Sequence, residues 1–252
     1  MTKKSLKNSI FYSILGVILV FLLWFLLYFV VANVYLIPSP FIVFKNGFLT
    51  LLNLDFYTKL LSTILRVILA LLLSIILGVF LAILSHIFSA VQKVLVPIIS
   101  IIRSLPVLAV LLIILTFSKR QIAPVIVCVL SIFPIIYSQT LNYLNSIEKS
   151  KIKMLKDYNV PLKKQISSVY LKGYMPLFIK ETASSFSFSL KLVVSAEILA
   201  NVYKSIGGDI LTASIYQNVL DMFSLTLIVC VIGIIVEFIG NFVYFKMEKT
   251  IR

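Results

Sequence analysis

The sequence predicts an all-α, polytopic membrane protein with six transmembrane helices. Three observations carry this. First, 61% of the 252 residues are hydrophobic and only 13% are charged, roughly half the charged share of an average soluble domain. A soluble fold of this length could not hide so much apolar surface, so lipid must solvate much of it. Second, six runs each hold about the 20 mostly apolar residues that a spanning helix needs. Third, lysines and arginines gather in alternate connecting segments, as the positive-inside rule requires. In a soluble protein a net charge of +14 would suggest nucleic acid. Here the charge clusters between apolar runs, so topology explains it better and no nucleic-acid partner is expected.

The runs follow in order. Ile10–Ala32 comes after Met-Thr-Lys-Lys-Ser-Leu-Lys. It exceeds the h-region of a signal peptide and lacks a small-residue cleavage site, so it reads as a retained first span. Ile37-Pro38-Ser39-Pro40 marks an outer linker. The second run lies near Leu60–Ser85, with Arg66 close to its start. The third lies near Pro97–Phe117 and contains Arg103; Pro97 and Pro106 bracket a break there. The fourth lies near Ala123–Leu144, where Pro124 and Pro134 start or kink it. The fifth, near Pro176–Ala200, is the most polar, with Lys180, Glu181, Lys191 and Glu197. The sixth lies near Met222–Phe245, and Glu237 falls toward its inner end.

With the N-terminus inside, the inner segments hold Lys3, Lys4, Lys7, Lys93, the lysine-rich stretch from Lys149 to Lys172, Lys246, Lys249 and Arg252. The outer segments hold only Lys45, Lys59, Lys119, Arg120 and Lys204. An even number of spans returns the C-terminus to the same basic side. Both termini are therefore expected in the cytoplasm. Two parts of one membrane domain are expected: residues 1–57, the first span with its outer linker, and residues 58–252, a core with five spans and the long inner loop.

Nothing reads as catalytic. Cys128 and Cys230 lie inside apolar runs with no partner at metal spacing, so both read as packing residues. His86 is a lone histidine at the end of an apolar run. No CxxC, HExxH, GxSxG or phosphate-loop glycine pattern occurs. No enzyme activity, metal or bound cofactor is expected of this chain.

The informative segment is the inner loop from Asn145 to Gly173, far longer than a connector requires. Glu148–Tyr158 reads as a helix with Ile147, Met154, Leu155 and Tyr158 on one face. Asn159 tolerates a left-handed cap, and Pro161 suits the first turn of a new helix. In that helix Leu162, Ile166, Val169 and Tyr170 share a face, and Lys163, Lys164, Gln165, Ser167 and Ser168 cover the other. Two short amphipathic helices with a sharp bend fit an interfacial hairpin on anionic lipid as well as a partner-docking element.

Several motifs occur in order from Pro38 to the C-terminus. They are Ile37-Pro38-Ser39-Pro40, Ser62-Thr63-Ile64-Leu65-Arg66-Val67, Arg103-Ser104-Leu105-Pro106, Phe133-Pro134-Ile135, Ser195-Ala196-Glu197-Ile198 and Ser205-Ile206-Gly207. In this order and spacing the chain resembles the permeases of ABC importers for nitrate, sulfonate, taurine and related small solutes. The bent hairpin lies where that family carries its coupling loop, written Glu-Ala-Ala, three residues, Gly, then a stretch ending near Pro. Here those positions read Lys153-Met154-Leu155, Asn159 and Lys172, and the following Pro is Pro176. The motif's Glu, Gly and first Pro are thus replaced.

The resemblance implies a type I importer permease fold in a bacterial cytoplasmic membrane. It implies a second permease copy, a cytoplasmic ATPase dimer that binds the ATP, and an external solute-binding protein. Lys156, Asp157, Tyr158, Asn159, Val160, Pro161, Leu162, Lys163 and Ile166 are the expected ATPase contacts. A charge at mid-bilayer costs about 2.5–3.5 kcal/mol on insertion scales, so Arg103, with Ser104 and Pro106 beside it, and Glu197 are candidates for the translocation path. Arg103 would suit an anionic solute; Glu197 could equally pair with a basic residue or hold the turn before Ser205-Ile206-Gly207. The rival readings are a secondary transporter, which would need broken helices in repeated halves whereas no repeat is seen and six spans are few, and a non-transporting scaffold of the same fold.

Overall fold

The computed structural model describes residues 3–147, 154, 157–161, 164 and 172–251. Among these the chain is helical, with no strand. The helices are α1 (Lys3–Val31), α2 (Pro40–Leu51), α3 (Leu54–Ile87), α4 (Ser89–Ser104), α5 (Val107–Leu115), α6 (Ala123–Ser146), α7 (Lys172–Ala200), α8 (Ile206–Ile215) and α9 (Val219–Ile251).

Four of these, α3, α6, α7 and α9, are each long and apolar enough to cross a membrane. α3 carries an exposed apolar stripe. Leu65, Leu69, Leu72, Ile76 and Phe80 recur at helical spacing and are all more than half exposed. An apolar stripe of that size turned outward is what hydrocarbon, not water, accommodates. In α1 the described apolar stretch is Leu15–Val31.

The expected third span is not one straight helix. Its two halves, α4 and α5, meet at a bend of 89°. Pro106 has no N–H to continue the ladder, and its ring drives the preceding residue out of the α region. Leu105 accordingly has φ −67° and ψ 131°. With 9 residues, α5 is only about 14 Å long, too short to span alone. Pro97, by contrast, lies inside α4 without ending it.

Contacts divide the chain into two compact units, Met1–Tyr57 with Asp209–Ile228 and Thr58–Gly208 with Val229–Arg252. In the first unit, the expected outer linker contains a helix. Ser39 caps α2, its hydroxyl accepting from the Ile42 amide, and Pro40 takes the first turn. Both are standard helix-start residues. Aromatic rings of α1 pack on α2, Phe21 on Phe44 at 5.8 Å and Phe25 on Phe41 at 5.5 Å. Trp24 meets Phe223 at 5.9 Å. Asn46 donates to Asp221 Oδ1 (2.7 Å) and Ser224 Oγ (3.1 Å), fixing α2 against the start of α9.

In the second unit α6 is the central helix. Phe133, Tyr137 and Leu141 form one core cluster with Ala82 and Ile99. Ala123 and Val127 form another with Leu111, Ile114 and Ala196. Small residues bring backbones together, as is common in membrane bundles. A Cβ on Gly78 would sit 3.0 Å from Ile136 Cβ and from the Phe133 carbonyl. The Ser187 hydroxyl donates to the Gly233 carbonyl at 2.6 Å. Cys128 is buried and Cys230 exposed, both as free thiols.

Candidate functional site

Three regions bear on function, all within the second unit. The first is the inner hairpin. Asp157, Tyr158, Asn159, Val160 and Pro161 are described; Lys156, Leu162, Lys163 and Ile166 lie outside the described residues. The Tyr158 amide bonds the Met154 carbonyl at 3.1 Å, and Asn159 then takes φ 50°. The Lys164 amide bonds the Pro161 carbonyl at 2.8 Å. So the chain turns at Asn159 through the left-handed conformation that Asn tolerates. Tyr158 is 78% exposed. At the base of the hairpin the rings of Tyr143 and Tyr174 stack at 4.6 Å, and the Tyr174 hydroxyl lies 2.9 Å from Thr140 Oγ1. Lys180 lies over the Tyr244 ring at 5.1 Å.

The second region is a buried ionic knot. Glu197 near the end of α7 is fully enclosed and meets the Arg66 guanidinium at 2.8 Å. Its other oxygen accepts from Thr63 Oγ1 at 3.0 Å and from the Gly207 amide at 3.1 Å. Thr63 Oγ1 in turn accepts from the Ile206 amide at 3.1 Å. The first two amides of α8 are thus satisfied by α3 and α7, as a helix N-terminus demands. The connecting turn is tight. Asn201 and Lys204 have φ 50° and 52°, and the Val202 amide bonds back to the Glu197 carbonyl at 3.0 Å. Gly207 lets the carboxylate approach, since a Cβ there would meet Glu197 Cβ and lie 2.6 Å from the Val194 carbonyl.

The third region is a pair of adjoining cavities, a mostly apolar one on α4, α5, α6 and α7 and a more polar one on α6, α7 and α9. Arg103 donates to the Pro134 carbonyl and to Ser138 Oγ, both at 2.9 Å. These are neutral acceptors, so the cation is positioned without being neutralised. It lines a cavity of about 310 Å³ with Ser131, Ile135 and Phe188. A second cavity of about 300 Å³ shares Ile135 and Phe188 and is lined by Gln139, Ser184, Ser185, Ser187, Lys191 and Glu237. Ser104 and Pro106 are exposed at the α4–α5 break, with the Ser104 hydroxyl donating to the Ile101 carbonyl at 2.8 Å.

The four path candidates are therefore not brought together. Arg103, Ser104 and Pro106 lie at the bend, whereas Glu197 lines neither cavity. Arg66 was absent from the expected site residues. The available signal was Thr63-x-x-Arg66 on one helical face together with the cost of an arginine at membrane depth, which demands a carboxylate elsewhere.

The family described as binding-protein-dependent transport system inner membrane component matches residues 74–252. Among solved structures, one described as inward-facing conformations of the MetNI methionine ABC transporter, CY5 native crystal form, is similar at a TM-score of 0.63. It is 14% identical and covers 75% of this chain and 94% of its own. No curated protein sequence matches.

Proposed function

The chain belongs to the binding-protein-dependent transport system inner membrane component family, and on that premise we propose that it is the path-forming permease of an ATP-driven importer whose ATPase docks on the bend at Asn159. The permease of an ABC importer is a transport component, not a catalytic subunit, and its fold is the type I importer fold. Beyond that, the reading assigns ATP binding and hydrolysis to a separate cytoplasmic ATPase dimer. It pairs this chain with a second identical copy and takes solute from an external binding protein. The reading counts six spans, taking α1 and the bent α4–α5 pair as one each, and assigns both termini to the cytoplasm of a bacterial cell.

The observation that carries the docking assignment is the exposed bend itself. A left-handed Asn159, followed by the Lys164 amide bonded back to the Pro161 carbonyl, leaves Tyr158 exposed at a compact turn with Val160 half-buried beside it. Such a turn, with an exposed Tyr158 to fill a groove, can be pushed as a rigid body when ATPase subunits close. Arg103, fixed but not neutralised, supports a small solute with an anionic group, as in the sulfonate, nitrate or taurine class; a vitamin precursor is the alternative solute of the same reading.

The test is co-purification in mild detergent. The wild-type chain is expected to bring an ATPase subunit with it, and a Pro161→Asp, Leu162→Asp double variant is expected to lose it while remaining folded. An ATPase held equally well by the variant would remove the hairpin from the interface. Uptake that needs an ion gradient but no ATP would replace the whole reading with a secondary transporter.

A further inference from the structure

Polar side chains of α6, α7 and α9 converge on one cavity of about 300 Å³, at the small end of the range for small-molecule sites. Its charged members sit well inside their helices. Glu237 is roughly 27 Å from the start of α9 and roughly 21 Å from its end. Lys191 is roughly 13 Å from the end of α7. Neither residue has a hydrogen-bond or ion-pair partner among the described residues. The contrast with Glu197 is instructive, because that carboxylate is fully enclosed and paired with Arg66. Where the fold uses charge to hold itself together, it closes the pair; around this cavity it leaves one cation and one anion open.

Facing lipid, a lysine would cost about 2.5–3.5 kcal/mol near mid-bilayer. Intramembrane ionisable residues therefore turn to protein or to a wet cavity. Ser184, Lys191 and Glu237 are exposed in the single chain, and the cost of a bare charge in hydrocarbon favours a wet, protein-lined surrounding for them. The lining offers one ammonium, one carboxylate, the Gln139 carboxamide and serine hydroxyls. That inventory complements a solute carrying both signs of charge. A purely anionic solute would leave Glu237 repelling it.

We propose that this cavity is a solute subsite for a small zwitterion. Lys191 meets the solute's carboxylate or sulfonate, Glu237 meets its ammonium group, and Gln139 with Ser184 supplies neutral hydrogen bonds. The proposal rests on the permease reading and narrows it, since it takes inorganic anions such as nitrate out of the solute class.

The experiment measures the unfolding midpoint of the purified chain in nanodiscs, with whatever copies and ATPase accompany it. The probes are the twenty common amino acids and taurine. Each probe that stabilises is compared with its des-amino acid and with its amine lacking the acidic group. At several-fold the dissociation constant, at least one zwitterion is expected to raise the midpoint by about 2–4 °C, and neither of its truncated analogues is. In Glu237→Gln the des-amino acid is expected to stabilise as well as the zwitterion; in Lys191→Gln the shift disappears.

Three results would each overturn the proposal. No zwitterion shifts the midpoint, a truncated analogue does as well in the wild type, or the variants keep the wild-type discrimination. In the last case Lys191 and Glu237 merely pair, for instance between two copies. Co-purification of an ATPase is scored separately, so failure of the subsite and failure of the permease reading are told apart.

Discussion

The Arg66 guanidinium lies 2.8 Å from Glu197 Oε1, across 131 residues of sequence. Arg66 is 13% exposed and Glu197 not at all. Two charges taken out of water repay their desolvation only with good geometry and further hydrogen bonds. Glu197 has both, through Thr63 and the Gly207 amide. Removing one partner strands the other. Arg66→Met and Glu197→Gln are each expected to cost about 3–5 kcal/mol, and the double variant less than the sum. Unfolding of the four chains in one detergent completes the cycle. Additive losses would mean that the pair is not coupled.

Gly207 is the point at which α8 meets Glu197. An added Cβ would meet the Glu197 side chain and the Val194 carbonyl, so Gly207→Ala is expected to cost about 1–3 kcal/mol through overpacking. Gly16→Ala is the control. Nothing lies within 4 Å of a Cβ there, and in mid-helix alanine is favoured over glycine by up to about 1 kcal/mol. Thermal midpoints should move in opposite directions.

Asn159 has φ 50°. A β-branched residue there pays the left-handed penalty of about 1–2 kcal/mol, whereas glycine adopts the conformation freely. Asn159→Gly is therefore expected to retain the co-purifying ATPase and Asn159→Val to lose much of it. Equal retention by both would mean that the bend is not read by the partner.

Arg103 bonds a carbonyl and a hydroxyl, so it can be changed without orphaning a buried carboxylate. Arg103→Gln is expected to leave folding and ATPase association unchanged but to reduce uptake of the cognate solute at least tenfold, about 1.4 kcal/mol of transition-state stabilisation. Uptake measured in whole cells, with chain abundance checked by immunoblot, decides it. Unaltered uptake would take Arg103 out of the path.

Much of this protein is local in origin and can be read along the chain. The α3 run is apolar enough that no partner is needed to specify it. Asn159 followed by Pro161 carries its own turn chemistry, and the described backbone bends there. Ser39-Pro40 is an equally local signal, a cap and a first-turn proline, and it starts α2 inside what the sequence reads as an outer linker. Pro106 marks the break in the sequence and its ring chemistry accounts for it, but the angle of 89° between α4 and α5 is seen only in the structure.

The sequence by itself determined that the chain lives in a membrane, roughly where it crosses, and where the inner hairpin turns. Apolar run length, charge asymmetry and turn residues act over a few neighbours, so they survive without a fold. Only the tertiary structure decided which charges are spent and which are open. Glu197 and Glu237 are both carboxylates in long apolar helices; one is closed by Arg66, Thr63 and an α8 amide, and the other borders a cavity with Lys191. That difference arises from helices packed side by side, because in a low-dielectric medium a charge is governed by what lies within a few ångströms, and sequence distance says nothing about that.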